Sequence, residues 1–504
     1  MSHIEKKHSP PARFRIVDLF AGPGGLDVAA DVLGYEITGV EWDKDACATR
    51  EAAGLDTFQG DVRQYRAAFF PHAQVLTGGP PCQTFTVAGH GAGRRALDKV
   101  IVYINRLHDA VRPENRNSWE QIFRTWRKIY QELRVREIEA EGVKAEKRKI
   151  EELRAAERRA LRKKLALLGN SPEDIKSFLK TLATPPDLDN FSDDEIKKIF
   201  RRLGDLDNQL DKLKDRLEEL GDERTGLVLQ PLWWVIERSK RPGCEPYEAV
   251  VLEQVPAVMP VWKEYEDVLR TLGYRTRRQL MHTEAFGVPQ TRRRAVLMAR
   301  LDQGTPPSEL RPLPEVSETH HRYRPGDELR KAPLLQTGVE GPKDWVSMEK
   351  ALAAAGFRPE RPAFTVISNY GTGGVPEARG RRDHDVPSAT ITGKISRNRV
   401  VHKGTDQDLD TPWDRFSFAE AGVLQTFPVA YPWSGKDVPQ QIGNAVPPGL
   451  ALHVLRKVLE PDLGEKEAAE RLAEATTRLR TWKPTRRVAA RTHAGLKGHP
   501  LTGR

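Results

Sequence analysis

Arg15-Ile-Val-Asp-Leu-Phe20, Ala21-Gly-Pro-Gly-Gly25 and Leu26-Asp-Val-Ala-Ala-Asp-Val-Leu33 follow one another near the start of the chain. The first stretch has the length and apolar character of a buried strand, the second is a glycine-rich turn, and the third is spaced as a helix. Glu36 to Glu41 reads as a second strand. Strand, turn, helix and strand in that order open a parallel α/β sheet. Further strands are predicted at Gln74 to Thr77, Ala249 to Glu253 and Ala295 to Ala299, with helical patterns between them to cover both faces. The C-terminal ends of such strands converge on one rim, where ligands bind.

Two features of that rim carry chemistry. In Asp18-Leu-Phe-Ala-Gly-Pro-Gly-Gly-Leu-Asp27 the glycines let backbone amides approach a nucleotide-like ligand closely. Glu41, at the end of the next strand, is placed to accept from a ribose, and Trp42 to stack on a purine. Taken singly these are a tight loop, an exposed acid and a core tryptophan; their order and spacing favour a site. Gly78-Gly-Pro-Pro-Cys-Gln-Thr-Phe85 then follows a short apolar strand, which puts Cys82 at the rim rather than in the core. An isolated cysteine is commonly a small buried apolar residue. Two prolines before it would instead hold a thiolate in fixed geometry.

At 504 residues the chain should form two or three units, and its net charge of +10 favours an anionic partner. Cys47, Cys82 and Cys244 lack metal-ligand spacing, so neither a zinc site nor a disulfide framework is expected. No apolar run reaches the roughly 20 residues of a membrane span, and Met1 to Pro11 has no signal-peptide core. A cytoplasmic protein is the resulting expectation.

Between about Asn117 and Gly221 the composition turns to Glu, Lys, Arg, Leu and Ala, the usage of long exposed helices. Ser118, Ser171 and Ser192 each look like helix caps. Leu203, Leu206, Leu210, Leu213, Leu217 and Leu220 alternate steps of three and four, a coiled-coil seam, so a helical hairpin is expected. If continuous, Ser118 to Leu168 would extend about 75 Å. Residues 302–412, rich in Pro, Gly and Arg, read as a separate irregular or β-rich unit. Arg478 to Arg504 holds eight Lys or Arg and no acid, which reads as a mobile basic tail.

In order along the chain, Pro80-Pro-Cys-Gln83, Leu252-Glu-Gln-Val-Pro256, Gly287-Val-Pro-Gln-Thr-Arg-Arg-Arg294, Ala421-Gly-Val-Leu-Gln-Thr-Phe-Pro428 and Gln441-Ile-Gly-Asn-Ala-Val-Pro-Pro448 resemble the motifs of the DNA cytosine-5 methyltransferase family. The resemblance implies an S-adenosylmethionine-dependent, Rossmann-like α/β methyltransferase fold with a smaller target-recognition domain, here carrying an inserted helical coiled-coil hairpin. It implies a flexible N-terminus (1–13), a methyltransferase domain in three parts (14–116, 222–301 and 413–460), the insertion (117–221), a target-recognition domain (302–412) and a helical then basic tail (461–504). By the same resemblance Cys82 attacks the cytosine, Glu253 bonds and protonates the ring near N3, Arg294 orients the ring and Arg292 stabilises charge. Phe20, Gly22, Gly24 and Leu26 would surround the methyl donor, with Glu41 and Trp42 on its ribose and adenine, Asp61 on the adenine amino group, and Asn444 and Val446 completing the pocket. The substrate would be double-stranded DNA, with a base extruded from the duplex. Gln83, Arg379, Arg381, Arg382, Lys394, Arg397 and Arg399 are the candidate DNA contacts. Either Thr365-Val366 or Thr390-Ile391 matches the Thr-aliphatic pair of the recognition region.

Two departures stand out. Gln254 follows Glu253 where the family commonly has asparagine, and the insertion separates the Cys82 loop from Asp222-Glu-Arg-Thr-Gly226, which resembles the next motif. The inserted arm either clamps DNA, recruits a protein partner or second copy, or packs only on itself. A tRNA-cytosine methyltransferase and an inactive binding scaffold are the competing functions. A restriction–modification, solitary or phage-defence methylase is the expected setting.

Overall fold

β1 (Arg15–Leu19), β2 (Glu36–Glu41), β3 (Thr57–Gln59), β4 (Val75–Gly78), β5 (Ala249–Gln254), β6 (Tyr274–His282), β7 (Arg293–Leu301), β8 (Phe364–Ile367), β9 (Arg381–Asp383), β10 (Arg399–His402) and β11 (Arg491–Thr492) are the strands of the computed structural model, which describes residues 14–81, 92–181, 193–220, 223–326, 341–357, 361–368 and 380–492. Eight of them form one sheet in the order β11-β3-β2-β1-β4-β5-β7-β6. β1 through β5 and β11 are parallel; β7 runs antiparallel between β5 and β6. The predicted α/β architecture is therefore present. β1, β4, β5 and β7 are nearly continuous apolar runs because helices cover both faces, so both sets of side chains are buried.

The chain divides into two compact units. One comprises Met1–Cys82, Ile101–Phe123 and Leu227–Arg504, and holds both sheets. Its core joins the two ends of the sequence: α1 (Gly25–Val32) packs with the helices Pro448–Leu459 and Glu465–Thr481 in one apolar cluster. A second cluster lies under the small antiparallel sheet β10-β8-β9 and includes Met348, Phe364, Val400, Leu424 and Ile442.

Inside the large sheet Arg50, on α2 (Lys44–Ala53), is fully buried with Asp27 of α1. Its guanidinium donates to both carboxylate oxygens at 2.8 and 2.6 Å, to Thr57 Oγ1 at 2.9 Å and to the Asp56 carbonyl at 3.1 Å. Burial, with Asp27 adding to it, pushes the nearby Asp18 carboxyl up to about 8, although Thr77 donates to it at 2.7 Å.

The expectation of a mobile tail is corrected over Arg478–Thr492. Trp482 is buried and donates to Asp31 at 2.7 Å, and β11 extends the edge at β3. Arg491 holds Asp56 at 2.5 and 2.6 Å and covers the Phe58 ring at 4.1 Å. An open parallel edge offers unpaired backbone groups, and this segment satisfies them. Residues 1–13 and 493–504 lie outside the described residues.

The second unit, Gln83–Val100 with Arg124–Gly226, is helical in its described residues. The helix Trp119–Leu167 runs through 49 residues. It lies antiparallel to the helix Asp194–Leu220, as the ion pairs Glu139–Arg216, Arg154–Asp207 and Glu157–Arg202 show by their descending register. Leu161, Leu165, Ile196, Phe200 and Leu203 bury the seam between them, together with Ile175 of the short helix Pro172–Thr181. Ser118 and Ser171 cap their helices as read, accepting from Gln121 and Asp174. Ser192 lies outside the described residues, and Asp193 caps the last helix by accepting from Glu195 at 2.8 Å.

Candidate active site

The rim is assembled by strand direction. β1, β2, β4 and β5 end there, and antiparallel β7 begins there, so Glu253 on β5 meets Arg294 on β7. Glu253 Oε1 and Arg294 Nε are 2.5 Å apart, both side chains nearly buried. Burial lowers the Arg294 pKa and the Glu253 charge opposes that shift, so the pair favours the ionised guanidinium. Gly79, at the end of β4, faces this carboxylate: a Cβ there would stand 3.6 Å from Glu253 Oε2. Gln254, the departure from asparagine, donates its amide to the Pro80 carbonyl and accepts from Val255 N–H at 2.6 Å. It thereby fixes the Pro80–Pro81 step leading into Cys82. Cys82 and Gln83 lie outside the described residues.

On the other side of β1, Glu41 ties the glycine turn to the corner after β2. Its carboxylate accepts from Gly22 N–H and Asp43 N–H, each at 2.7 Å. Burial raises its pKa, and these two donors oppose the rise. Gly22 (φ 55) has nothing within 4 Å of where a Cβ would sit, whereas a Cβ on Gly25 would collide with the Val446 carbonyl. Phe20 adopts φ 61, a left-handed conformation unusual for a bulky residue and of a kind that clusters at ligand sites. Trp42 is 64% exposed, an indole left free to stack. An open glycine turn, a carboxylate at its edge and an uncovered indole fit a nucleoside-bearing cofactor.

Other predicted cofactor residues are placed less directly. Gly24 (φ 103) abuts Leu55 and Tyr431, and Leu26 is packed in the core, because the first turn of α1 faces inward. Asp61 is held by Arg63 Nε at 3.0 and 2.8 Å, so an adenine amino group would share it with that guanidinium. Asn444 is exposed and accepts from Gln440 at 2.9 Å; Val446 is half-buried against the glycine turn.

Arg292 differs from its reading as a charge stabiliser at the base. It is 3% exposed and donates to the carbonyls of Ile391, Gly443 and Ala445 at 3.0, 2.9 and 3.4 Å. Buried carbonyls require such a donor, which makes Arg292 a clasp between β7, the Thr390 segment and the last motif. Sequence reasoning also passed over Gln290 and Gln425. Both are fully buried; Gln290 Nε2 donates to Gln425 Oε1 at 2.9 Å, Gln290 Oε1 accepts from Ile391 N–H at 2.7 Å, and Gln425 donates to the Ile442 carbonyl at 2.7 Å. The available signal was a glutamine inside each of two motifs, next to apolar residues that a core would bury.

Among the candidate DNA contacts, Arg381 pairs with Asp406, and Arg399 pairs with Asp408 at 2.8 Å. Arg382 lies over the Tyr323 ring at 4.9 Å. Lys394 and Arg397 are exposed, with no ion pair among the described residues. Arg379 lies outside them. Thr390 Oγ1 donates to the Thr291 carbonyl at 2.7 Å, beside Arg292–Arg294, while Thr365 donates to Asp383 inside the small sheet at 2.5 Å.

The model of the C-5 cytosine-specific DNA methylase family matches residues 14–115 and 248–460, more than half of the chain. The chain belongs to that family. Its members use S-adenosylmethionine. The unmatched stretch between those segments contains the helical arm. Among similar proteins are the type II methyltransferase M1.HphI of Haemophilus parahaemolyticus, 28% identical over 40% of this chain and 52% of its own, and M.HpaII of Haemophilus parainfluenzae, 39% identical over 18% and 27%. The chain thus spans about half or less of the length of these relatives. The Dnmt2 methyltransferase of S. pombe aligns with 89% of this chain and 99% of its own at 14% identity and a TM-score of 0.44. Among the described residues no helix is long and apolar enough to cross a membrane.

Glu41→Gln is expected to weaken S-adenosylmethionine binding by roughly ten- to a hundredfold, the worth of about 1.5–3 kcal/mol for hydrogen bonds to a charged group. An amide offers one acceptor oxygen, so its NH2 must face either Gly22 N–H or Asp43 N–H. Titration calorimetry measures this, and an unchanged dissociation constant would remove Glu41 from the pocket.

Proposed function

We propose that the chain methylates carbon 5 of cytosine in double-stranded DNA at a specific sequence, with Cys82 as nucleophile. The observation that carries this reading is the Glu253–Arg294 pair beside the Pro80–Pro81 step, one strand from the open glycine turn. Carbon 5 of cytosine is too weak a nucleophile unaided, and covalent addition elsewhere on the ring activates it. The Cys82 thiolate bonds to carbon 6 and sends the ring electrons toward carbon 5, while Glu253, having taken up a proton from water as the base binds, passes it to N3. Arg294 holds Glu253 and the ring edge in place. S-adenosylmethionine supplies an electrophilic methyl group to carbon 5. Return of the N3 proton to Glu253 and loss of the carbon 5 proton to a base then restore the ring and expel the Cys82 thiolate.

The cytosine must leave the duplex to reach this rim, at a cost of a few kcal/mol in stacking and pairing. Residues 302–412 serve as the recognition region in this reading. Thr390-Ile391 is the recognition pair, because it is bonded to the segment bearing Arg292 and Arg294. Lys394 and Arg397 carry phosphate or guanine contacts, since both are exposed and neither has an ion pair among the described residues. The biological setting is restriction–modification, solitary methylation or phage defence.

Duplex DNA containing 5-fluorocytosine traps the adduct, because a fluorine at carbon 5 cannot leave as a proton does. With S-adenosylmethionine present, a denaturation-resistant protein–DNA complex is expected, and none with tRNA carrying the same base. Adduct with tRNA alone would transfer the activity to RNA. Cofactor binding without any adduct would favour the inactive scaffold.

A further inference from the structure

Charge changes sign along the helical arm. Its closed end, Arg154–Lys164 of one helix beside Ile196–Arg202 of the other, holds ten Lys or Arg residues and a single acid, Glu157. The stretch Asp205–Leu220 instead holds six acids and three basic residues. Three of the cations at the closed end are neutralised: Arg154 by Asp207, Arg202 by Glu157, and Lys164 by Asp193 and Glu195. Arg159, Arg162, Lys197 and Arg201 have no ion pair among the described residues, and all but half-buried Lys197 are exposed. At about 100° per residue, Arg159 and Arg162 fall on one flank of the Leu161–Leu165 seam. Lys197 and Arg201 fall on the same flank of the antiparallel partner, so the four form one face.

We propose that this face binds the sugar-phosphate backbone of duplex DNA without reading its sequence, an inference that rests on the DNA substrate proposed above. Cations held out on two helices, in excess of the acids beside them such as Asp194 and Asp205, are an arrangement that releases counterions from a duplex. A single strand would call for exposed rings to stack on, and Phe200, the sole aromatic of these two stretches, is buried. The acidic stretch Asp205–Leu220 confines the binding face to the closed end.

The test uses the full chain with Arg159, Arg162, Lys197 and Arg201 all changed to Gln, a residue that keeps helix propensity. Unchanged helicity by circular dichroism verifies the fold. Binding to a random-sequence duplex is followed against salt concentration. The dependence of log affinity on log salt should become shallower by about 0.9 for each phosphate no longer neutralised, up to about 3.6 for four. An unchanged slope overturns the proposal, and so does a variant that loses polyglutamate binding as steeply as duplex binding, which would assign the face to an acidic polypeptide. Adduct formation with a short 5-fluorocytosine duplex is measured in parallel. Its absence in the parent protein would sink the catalytic reading while leaving the salt slope to decide the arm.

Discussion

Cys82→Ala keeps S-adenosylmethionine binding and melting temperature, and loses methyl transfer by a factor on the order of 10^4 to 10^6, the scale on which removal of a covalent nucleophile acts. The reason is chemical. Nothing else in the proposed site can bond to carbon 6, so the ring never acquires the electron density that carbon 5 needs. Gln254 holds the carbonyl of Pro80, two residues before this position, and the substitution leaves that bond in place. A methyl group should therefore be tolerated structurally. Tritium transfer from labelled donor to duplex DNA reads the loss, and calorimetry reads the retained binding. Transfer at the parent rate would end the assignment of Cys82.

Arg50→Leu is expected to destabilise the large unit by about 3–5 kcal/mol, since one partner of a fully buried ion pair is removed and the other left uncompensated. Leucine fills much of the volume, so the loss is electrostatic rather than a cavity. Asp27 would then sit beside Asp18, whose carboxyl is already pushed up to about 8 by burial and by Asp27 itself. A carboxyl raised in the folded state is held there as the neutral acid, and its stability contribution declines as pH rises from the unfolded value toward the folded one. The deficit of the variant should accordingly be smaller at pH 5 than at pH 8. Denaturant titrations at both values decide this; a pH-independent deficit, or none, would mean that Asp27 is not left charged.

The centre of the sheet was legible because strands buried on both faces are written as apolar runs. β1, β4 and β5 were located to within a residue or so, and β7 was found but extends to Arg293–Leu301. β6 was not read from Tyr274–His282, where arginines alternate with buried positions; their guanidinia reach backbone carbonyls such as those of Arg311 and Leu313, so charged residues there build an edge strand. β11 was missed for a different reason: two residues carry no periodicity, and what fixes them is Asp56, more than four hundred positions earlier. In the site, the types and order of Glu41, Glu253 and Arg294 were readable. The division of labour among the arginines was not. Arg292 and Arg294 are two apart on one strand start, and only the register of β7 against β5 sends one to Glu253 and the other to three carbonyls.

The back wall of the glycine turn is made by residues translated long after it. The Val446 carbonyl closes on Gly25, and the Tyr431 hydroxyl donates to the Pro23 carbonyl. At ribosomal speeds of about 5–20 residues per second, the turn waits on the order of 20 to 80 s for these partners. A nascent polypeptide halted anywhere within the arm or the small sheet therefore holds every glycine of the turn yet no finished cradle. Competence should arrive late and all at once, only after Tyr431 and Val446 have been translated, leaving shorter interrupted products without a finished donor cradle.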